Sequence, residues 1–162
     1  MNIRTAVLED LSAMMGLYRQ AQQFMAENGN PGQWGTSYPN EEIVREDIES
    51  GFAQVCEENG SVIACFLLAP GPDPDYHTIR DGAWMQKDAP YWVVHRVAVE
   101  GNGKGVGTYC LNWCLQQHSN IRIDTHRDNL PMQGLLKKCG FSYCGVIHCQ
   151  YGGERIAFQK IL

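Results

Sequence analysis

The sequence lacks long hydrophobic runs, clustered basic residues and paired cysteine motifs, and each absence excludes a class of function. No window approaches the roughly 18 consecutive apolar residues that cross a bilayer, and MNIRTAVLED at the N-terminus has no apolar stretch of signal-peptide length. The 13 Lys and Arg residues are outnumbered by 18 Asp and Glu, whereas nucleic-acid binding needs clustered cations. We therefore expect a cytoplasmic protein with a neutral or basic small substrate and no membrane or nucleic-acid partner.

The seven cysteines form no C-x-x-C pair, and their number is odd. Such residues are most simply interpreted as reduced thiols that are buried as small hydrophobic side chains. Cys110 and Cys114 would share one helical face, and His148 precedes Cys149, but no four-ligand zinc spacing is present. We expect no metal site.

The remaining pattern is that of one mixed α/β (α+β) domain over residues 1–162. Apolar residues at three- and four-residue spacing predict a helix over 9–26, and Asn40 and Gly51 have the residue types that begin and end a second helix. The Asn-Gly pair at 59–60 between two apolar runs predicts a β-hairpin. The complete predicted order is β-α-α-β-β-β-α-β-α-β-β.

Glycine recurs at every second residue from Gly101 to Gly107, directly after the apolar strand YWVVHRVAV. A nucleotide-triphosphate loop is excluded because Ala98 and Gly105 stand where that loop needs its first Gly and its Ser or Thr. The spacing also departs from the dinucleotide fingerprint G-x-G-x-x-G. What remains is a nest of backbone N–H groups at a helix start, with Lys104 and Thr108 beside it, which suits a pyrophosphate. A glycine-rich turn without a ligand stays open.

Two segments together resemble the motifs of a known family. The run HRVAV followed by NGKGVG is similar to the acetyl-CoA-binding motif Q/R-x-x-G-x-G/A of the GNAT N-acetyltransferases. IDTHRDNLPMQGLLKKCGF resembles that family's second motif, in which an Asn begins a helix and a Gly-Phe pair follows, here Asn129 and Gly140-Phe141. The resemblance implies a mostly antiparallel central sheet flanked by helices and acetyl-CoA as co-substrate. It also implies direct acetyl transfer, in a ternary complex, to a primary amine of a small molecule or peptide.

The resemblance further implies roles for residues of both motifs. Backbone groups of Val97 and Val99 would hydrogen-bond the pantetheine arm as an added strand, and a main-chain N–H of this strand would polarise the acetyl carbonyl. Asn129 would reach toward the pantetheine or the helix start. Leu136 stands where the family usually has a tyrosine that protonates the leaving thiolate, and Asn102 where it has Gln or Arg. The amides that would hold the pyrophosphate belong to Asn102, Gly103, Lys104, Gly105, Val106, Gly107 and Thr108.

Direct transfer requires a general base for the attacking amine, and two histidines are candidates. Strand alternation predicts that His95 lies on the same face as Val97 and Val99, two residues from the expected thioester. His126 is the second candidate, because Asp124 precedes it by two residues on the same strand face. For both histidines, a structural role in the core stays open.

The acid that protonates the thiolate has no residue at the usual motif position. Tyr143 and Tyr151 are the remaining candidates near the second motif, and for each a packed or surface role stays open. A thiolate also leaves without an acid, because a thiol has a low pKa compared with an alcohol.

Trp34 and Tyr38 are the candidates for binding the acceptor, because the loop over 28–40 borders the acceptor pocket in this family. Aromatic rings there would pack on an apolar or cationic group, although anchoring of the loop to the core stays open. Two other functions stay open: an acyl-CoA-binding sensor, which Leu136 favours, and transfer of a longer acyl group or to a non-amine acceptor. Many relatives pair through their C-terminal strands, so YCGVIHCQY is the candidate surface of a homodimer.

Overall fold

The computed structural model of the chain describes residues 1–101 and 104–162. The strands are β1 (Asn2–Thr5), β2 (Ala53–Glu58), β3 (Ser61–Pro70), β4 (Trp92–Val99), β5 (Asn120–Thr125), β6 (Ser142–Cys149) and β7 (Gly153–Ile161). The helices are α1 (Leu11–Glu27), α2 (Glu41–Ser50), α3 (Val106–Gln117) and α4 (Leu130–Lys138), with short 3-10 turns at Leu8–Asp10 and Pro74–Tyr76. The predicted order of elements is confirmed.

In the described ranges the strands form one sheet in the order β1-β2-β3-β4-β5-β7-β6, in which β4 and β5 are the parallel pair and all other neighbours are antiparallel. Helices α1 and α2 pack on one face, where Tyr18 and Val44 are fully buried. Helices α3 and α4 cover the other face, where Leu111 and Leu136 are buried against Phe66. No helix of the described chain is long and apolar enough to span a membrane.

Local sequence signals account for most element boundaries. The side chain of Asn40 accepts a hydrogen bond from the backbone N–H of Ile43 at 2.9 Å and begins α2. Gly51 ends that helix in the left-handed region, with φ +81°. The hairpin turn between β2 and β3 has positive φ at both Asn59 and Gly60, the conformation that an Asn-Gly pair adopts readily.

Strand β4 contains a bulge that the alternation pattern did not predict. The register against β3 pairs Leu67 with His95 and Cys65 with Ala98, so two residues of β4 lie opposite one residue of β3. Arg96, within this bulge, has φ +50°. The extra residue reverses which side chains face each helical layer beyond this point.

The predicted common face of His95, Val97 and Val99 is therefore wrong. Val97 and Val99 pack into the core beneath α3 and α4. Val93, two residues before His95 on the same side of β4, packs instead with Tyr76 on the other face of the sheet. His95 and the two valines lie on opposite faces because the bulge stands between them.

Contacts from the α1–α2 layer hold the bulge. The guanidinium of Arg96 donates two hydrogen bonds of 2.7 Å to the carboxylate of Asp47 in α2 and one of 2.9 Å to the hydroxyl of Tyr38. The hydroxyl of Tyr18 in α1 donates to the backbone carbonyl of Arg96 at 2.8 Å. Both the side chain and the backbone of the bulged residue are thus fixed from one side.

Beyond the bulge, β4 and β5 separate. Their parallel ladder comprises the pairs Trp92 with Ile121 and Val93 with Arg122, whereas β5 pairs with β7 along its whole length. A cleft opens between the two strands from Val94 onward, and the candidate site lies in it.

Replacing Asn40 with alanine should lower the free energy of unfolding by about 1 kcal/mol, because the first turn of α2 loses its side-chain acceptor. Asn40→Asp, which keeps an acceptor, should unfold like the unmodified protein. Urea denaturation followed by circular dichroism measures both changes, and equal stability of the alanine variant and the unmodified protein would contradict the capping role.

Candidate active site

A cavity of about 840 Å³ occupies the cleft between β4 and β5. Its walls come from both strands, from the starts of α3 and α4, and from the loop over 28–40. Asn102 and Gly103 lie outside the described residues. The other residues predicted to bind the cofactor all line the cavity: Val97, Val99, Lys104, Gly105, Val106, Gly107, Thr108 and Asn129.

One end of the cavity is built to attract an anion. Gly105 has φ +74° and precedes the first residue of α3, and the first turn of that helix contains no acidic side chain. Lys104, which precedes Gly105, and Lys138 also line the cavity. A Cβ on Gly107 would lie 2.8 Å from Leu135 Cδ2, so a larger residue there would require the Leu135 side chain of α4 to shift. Backbone N–H groups at the helix start and two ammonium groups are the chemistry that binds phosphates.

Asn129 begins α4 and also ties that helix to the loop over 28–40. Its side-chain oxygen accepts from the N–H of Met132 at 3.1 Å, and its amide nitrogen donates to Gln33 Oε1 at 2.9 Å. The expected contact of Asn129 with the helix start is present. Leu136, on the same helix, is fully buried in the core and does not line the cavity.

The other end of the cavity contains a cluster of His95 with two carboxylates. His95 Nε2 lies 2.6 Å from Asp73 Oδ2, and His95 Nδ1 lies 4.0 Å from Asp124 Oδ2. The hydroxyl of Tyr76 donates to the same Asp124 oxygen at 2.6 Å. Because an ionised carboxylate only accepts, the pair with Asp73 places the proton of neutral His95 on Nε2 and leaves the Nδ1 lone pair free.

The pKa values of the two carboxyl groups of this cluster are shifted in opposite directions. Burial alone would raise the pKa of Asp73, but the hydrogen bond and charge of His95 and the backbone N–H of Asp75 lower it overall. Burial raises the pKa of Asp124, against the opposing effects of His95 and of the Tyr76 hydrogen bond. Burial and the charge of Asp124 hold the pKa of Tyr76 well above its ordinary value, so Tyr76 stays protonated and donates. Asp73 is the ionised partner of His95, whereas burial disfavours the ionised form of Asp124.

His126, the second candidate base, lies outside the cavity lining. Strand β5 ends at Thr125, so His126 does not continue the alternation that would pair it with Asp124. Its Nδ1 instead accepts from the backbone N–H of Asp128 at 3.0 Å. The structure joins Asp124 to His95, and the predicted pairing with His126 is wrong.

The two candidate acids are separated by the sheet. Tyr143 packs edge-on against Phe158, with ring centroids 5.9 Å apart, in a shallow groove beside α4 and away from the cavity. This contradicts its proposed place in the site, because its position on β6 directs the ring toward the α3–α4 face. Tyr151, in the turn between β6 and β7, does line the cavity and is 68% exposed.

Trp34 and Tyr38 both line the cavity and also anchor their loop. Trp34 packs edge-on against Tyr18 at 5.7 Å and Tyr38 at 6.2 Å, measured between ring centroids. The ring of Tyr38 lies 5.8 Å from that of Tyr151. The two functions considered for these rings are therefore compatible, since the anchored loop forms the aromatic wall of the cavity.

Asp73 and Tyr76 were not identified from the sequence as residues of the site. The one available signal was local: an Asp before Pro74 at the start of a short helical turn. The side chain of Asp73 does accept from the N–H of Asp75 at 2.9 Å, but its other oxygen reaches His95. A partner 22 residues away in sequence leaves no local pattern.

Among the residues that the structure describes, no group of three or more His, Cys, Asp and Glu side chains is placed to hold a metal ion. Cys110 and Cys114 both lie on α3, with their side chains buried in the core. Burial raises the pKa of Cys114 to about 12, which keeps it a neutral thiol.

This opened mixed sheet is the GNAT acetyltransferase fold, and comparison with known proteins shows the family. The model of the acetyltransferase (GNAT) family matches residues 13–141. A GNAT-family acetyltransferase from Streptococcus agalactiae 2603 is 30% identical, with a TM-score of 0.93 over 99% of this chain and 95% of that one. The chain belongs to the GNAT acetyltransferase family.

More distant structures share the fold. A ribosomal-protein-alanine N-acetyltransferase from Brucella melitensis is 20% identical, with a TM-score of 0.69 over the whole of both chains. A putative acetyltransferase from Salmonella typhimurium, solved with its cofactor acetyl-CoA, is 17% identical, with a TM-score of 0.67 over 99% of this chain and 93% of that one. No curated protein matches the chain significantly.

Replacing Asp124 with asparagine should raise the melting temperature at neutral pH. The raised pKa of Asp124 means that the folded state favours the protonated carboxyl group over the carboxylate. The stability that the protonated form contributes is therefore lost as the pH rises through the pKa of the folded state. Asparagine is neutral and still accepts from Tyr76. The advantage should disappear as pH falls below the ordinary value of 3.8.

Asp73→Asn is the matched control and should have the opposite sign. Because the pKa of Asp73 is lowered in the folded state, its carboxylate stabilises the fold at pH values above the ordinary pKa of an aspartate. That stability is lost as the pH falls through the pKa of the folded state. Asp73→Asn should therefore melt at a lower temperature near neutrality. Thermal unfolding across a pH series measures both variants. Shifts of the same sign at neutral pH would contradict the assigned protonation of the pair.

Proposed function

We propose that this protein transfers an acetyl group from acetyl-CoA directly to a primary amine of a small molecule or peptide in the cytoplasm. The observation that carries the proposal is the continuity of the cavity between two chemically distinct ends. Lys104 and the start of α3 provide a phosphate-binding end, and His95 with Asp73 provides a proton-accepting end.

The donor would lie along β4, with its pyrophosphate at the start of α3. The ladder between β4 and β5 stops at Val93, so backbone groups of Val97 and Val99 are available on the cleft side to pair with an extended pantetheine arm. The amide N–H groups of this strand would then polarise the acetyl carbonyl. The phosphate-loop assignment includes Asn102 and Gly103, for which the proposal rests on the sequence.

The acceptor would enter beside the carboxylates. Asp73, Asp75 and Asp124 line that end of the cavity, and their charge attracts an ammonium group. His95 Nδ1 accepts a proton from the ammonium group, and the neutral amine attacks the thioester carbonyl carbon. As the tetrahedral intermediate collapses, the C–S bond breaks and the sulfur leaves as a thiolate, while the second proton of the amine nitrogen passes to that sulfur by way of a hydroxyl group beside it.

Tyr151 is the remaining candidate for protonating the thiolate, since it lines the cavity and Tyr143 does not. The aromatic wall of Trp34, Tyr38 and Tyr151 would hold the carbon chain of the acceptor and exclude water. Binding both reactants in one cavity supplies much of the rate through proximity.

The decisive assay measures free thiol released from acetyl-CoA in the presence of polyamines, amino acids, aminoglycosides or peptides. At least one amine should be turned over, and His95→Gln should reduce kcat/KM by about 10²- to 10⁴-fold because the general base is lost. Tight coenzyme A binding with no turnover on any amine would favour an acyl-CoA sensor. Unchanged turnover and pH dependence in His95→Gln would refute the base assignment.

Replacing Gly105 with aspartate should weaken coenzyme A binding by at least about tenfold, because it puts a negative charge at the phosphate end. Gly51→Asp is the matched control. Gly51 also has a left-handed backbone and open space where a Cβ would lie, with no neighbouring atom within 4 Å, but it does not line the cavity. Isothermal titration calorimetry compares the two dissociation constants. Equal affinities would refute the phosphate-end assignment.

A further inference from the structure

A buried arginine lies beneath the catalytic end of the cavity without a role in the proposed reaction. Arg122 on β5 is 3% exposed and precedes Asp124 by two residues on the same strand face. It pairs with Val93 at the last step of the ladder before β4 and β5 separate. Arg122 therefore lies at the point where β4 and β5 separate to form the cleft.

The environment of Arg122 is aromatic and contains no carboxylate partner among the described residues. Its guanidinium carbon lies 3.9 Å from the ring centroid of Tyr91 and 4.4 Å from that of Trp84. Its Nε and Nη2 atoms make no hydrogen bond within the described chain. Burial lowers the pKa of Arg122, as expected for a cation taken out of water. Contact with two rings is thus its main interaction.

Both rings belong to the connection between β3 and β4 that supplies the partners of the catalytic cluster. The hydroxyl of Tyr91 accepts from the backbone N–H of Asp73 at 2.8 Å, and Asp73 holds His95. The indole N–H of Trp84 donates to the carbonyl of Tyr76 at 3.0 Å, and Tyr76 holds Asp124. Each ring that contacts the guanidinium is therefore one hydrogen bond away from a residue of the cluster.

From these contacts we infer that Arg122 is a positioning residue, which holds Asp73 and Tyr76 against His95 and Asp124 through the rings of Tyr91 and Trp84. The inference rests on the proposed function for its kinetic part. The planar guanidinium is essential to this role, because it stacks flat on aromatic rings as an ammonium does not. Arg122 touches neither substrate nor cofactor in this role.

The connection has other anchors, so an Arg122 variant should still fold. The N–H of Met85 donates to Gln159 Oε1 at 2.8 Å, and Arg80 exchanges backbone hydrogen bonds with Val146 on β6 at 2.9 and 2.8 Å. These contacts hold the middle of the connection independently of Arg122. Loss of the guanidinium should therefore displace the carboxylate of Asp73 without releasing the whole segment.

The test compares Arg122→Met and Arg122→Lys with Arg45→Met, a control at an exposed arginine of α2 whose ion pair is with Glu41. Arg122→Met should reduce kcat by about 10- to 100-fold with little change in the KM for acetyl-CoA, because the base is misplaced. Arg122→Lys keeps the charge and should be impaired in the same direction, and Arg45→Met should be unaffected. Full activity in Arg122→Met and Arg122→Lys would overturn the inference.

NMR of the His95 ring gives a readout that needs no turnover. The Nε2–H proton of His95 reports the hydrogen bond to Asp73 Oδ2. Arg122→Met should move this proton resonance upfield, as Asp73→Asn is also expected to do, because the short hydrogen bond to the carboxylate is lost. Arg122→Lys should move it in the same direction.

A double-mutant cycle decides whether Arg122 acts through Asp73. In the Arg122→Met background, Asp73→Asn should cause little further shift of the His95 Nε2–H resonance, because the carboxylate is already displaced. A full additional shift, or an unchanged resonance in both Arg122 variants, would overturn the inference. Absence of turnover in the unmodified protein would refute the proposed function alone, and the NMR cycle would still decide the positioning role.

Discussion

The rest of the structure depends on one residue held in an unfavourable backbone conformation, Arg96 in the middle of β4. A left-handed φ costs a non-glycine residue about 1–3 kcal/mol. The ion pair with Asp47 and the hydrogen bonds of Tyr38 and Tyr18 hold Arg96 in this conformation. The bulge separates β4 from β5. It also reverses which side chains of β4 face each helical layer, so His95 and Val97 lie on opposite faces of the sheet at the same cleft.

The two ends of the cleft differ in chemistry because different elements of the fold form them. The proposed phosphate end is made of the backbone at the start of α3, in sequence-adjacent residues, and the sheet supplies the side chains of His95 and Asp124. The partners that set protonation, Asp73 and Tyr76, come from an irregular connection that is itself fastened to the sheet. Burial of Asp124 beside His95 is a destabilising arrangement retained within the site, which is common where a protein places reactive groups.

The features that the sequence predicted well are those whose causes are local. The glycine run, the Asn40 and Asn129 caps and the Asn-Gly hairpin each need only a few adjacent residues, and the motif spacing was sufficient to indicate the family. The bulge could not be predicted, because Arg96 is held there by Asp47, which is 49 residues away in sequence. That one displacement made the alternation argument for His95 incorrect, although His95 still reaches the cavity. Tyr143 and His126 were misplaced for a different reason: the faces and ends of β6 and β5 are set by tertiary pairing.

The most direct test of the proposed reaction is a crystal structure with coenzyme A and an amine acceptor bound. We expect the pantetheine arm to pair with the backbone of Val97 and Val99 in the gap between β4 and β5, and the pyrophosphate to lie at the start of α3. We also expect the acceptor nitrogen within hydrogen-bonding reach of His95 Nδ1, directly or through one water. Coenzyme A bound outside the gap, or an acceptor nitrogen on the opposite side of the thioester from His95, would contradict the proposed reaction.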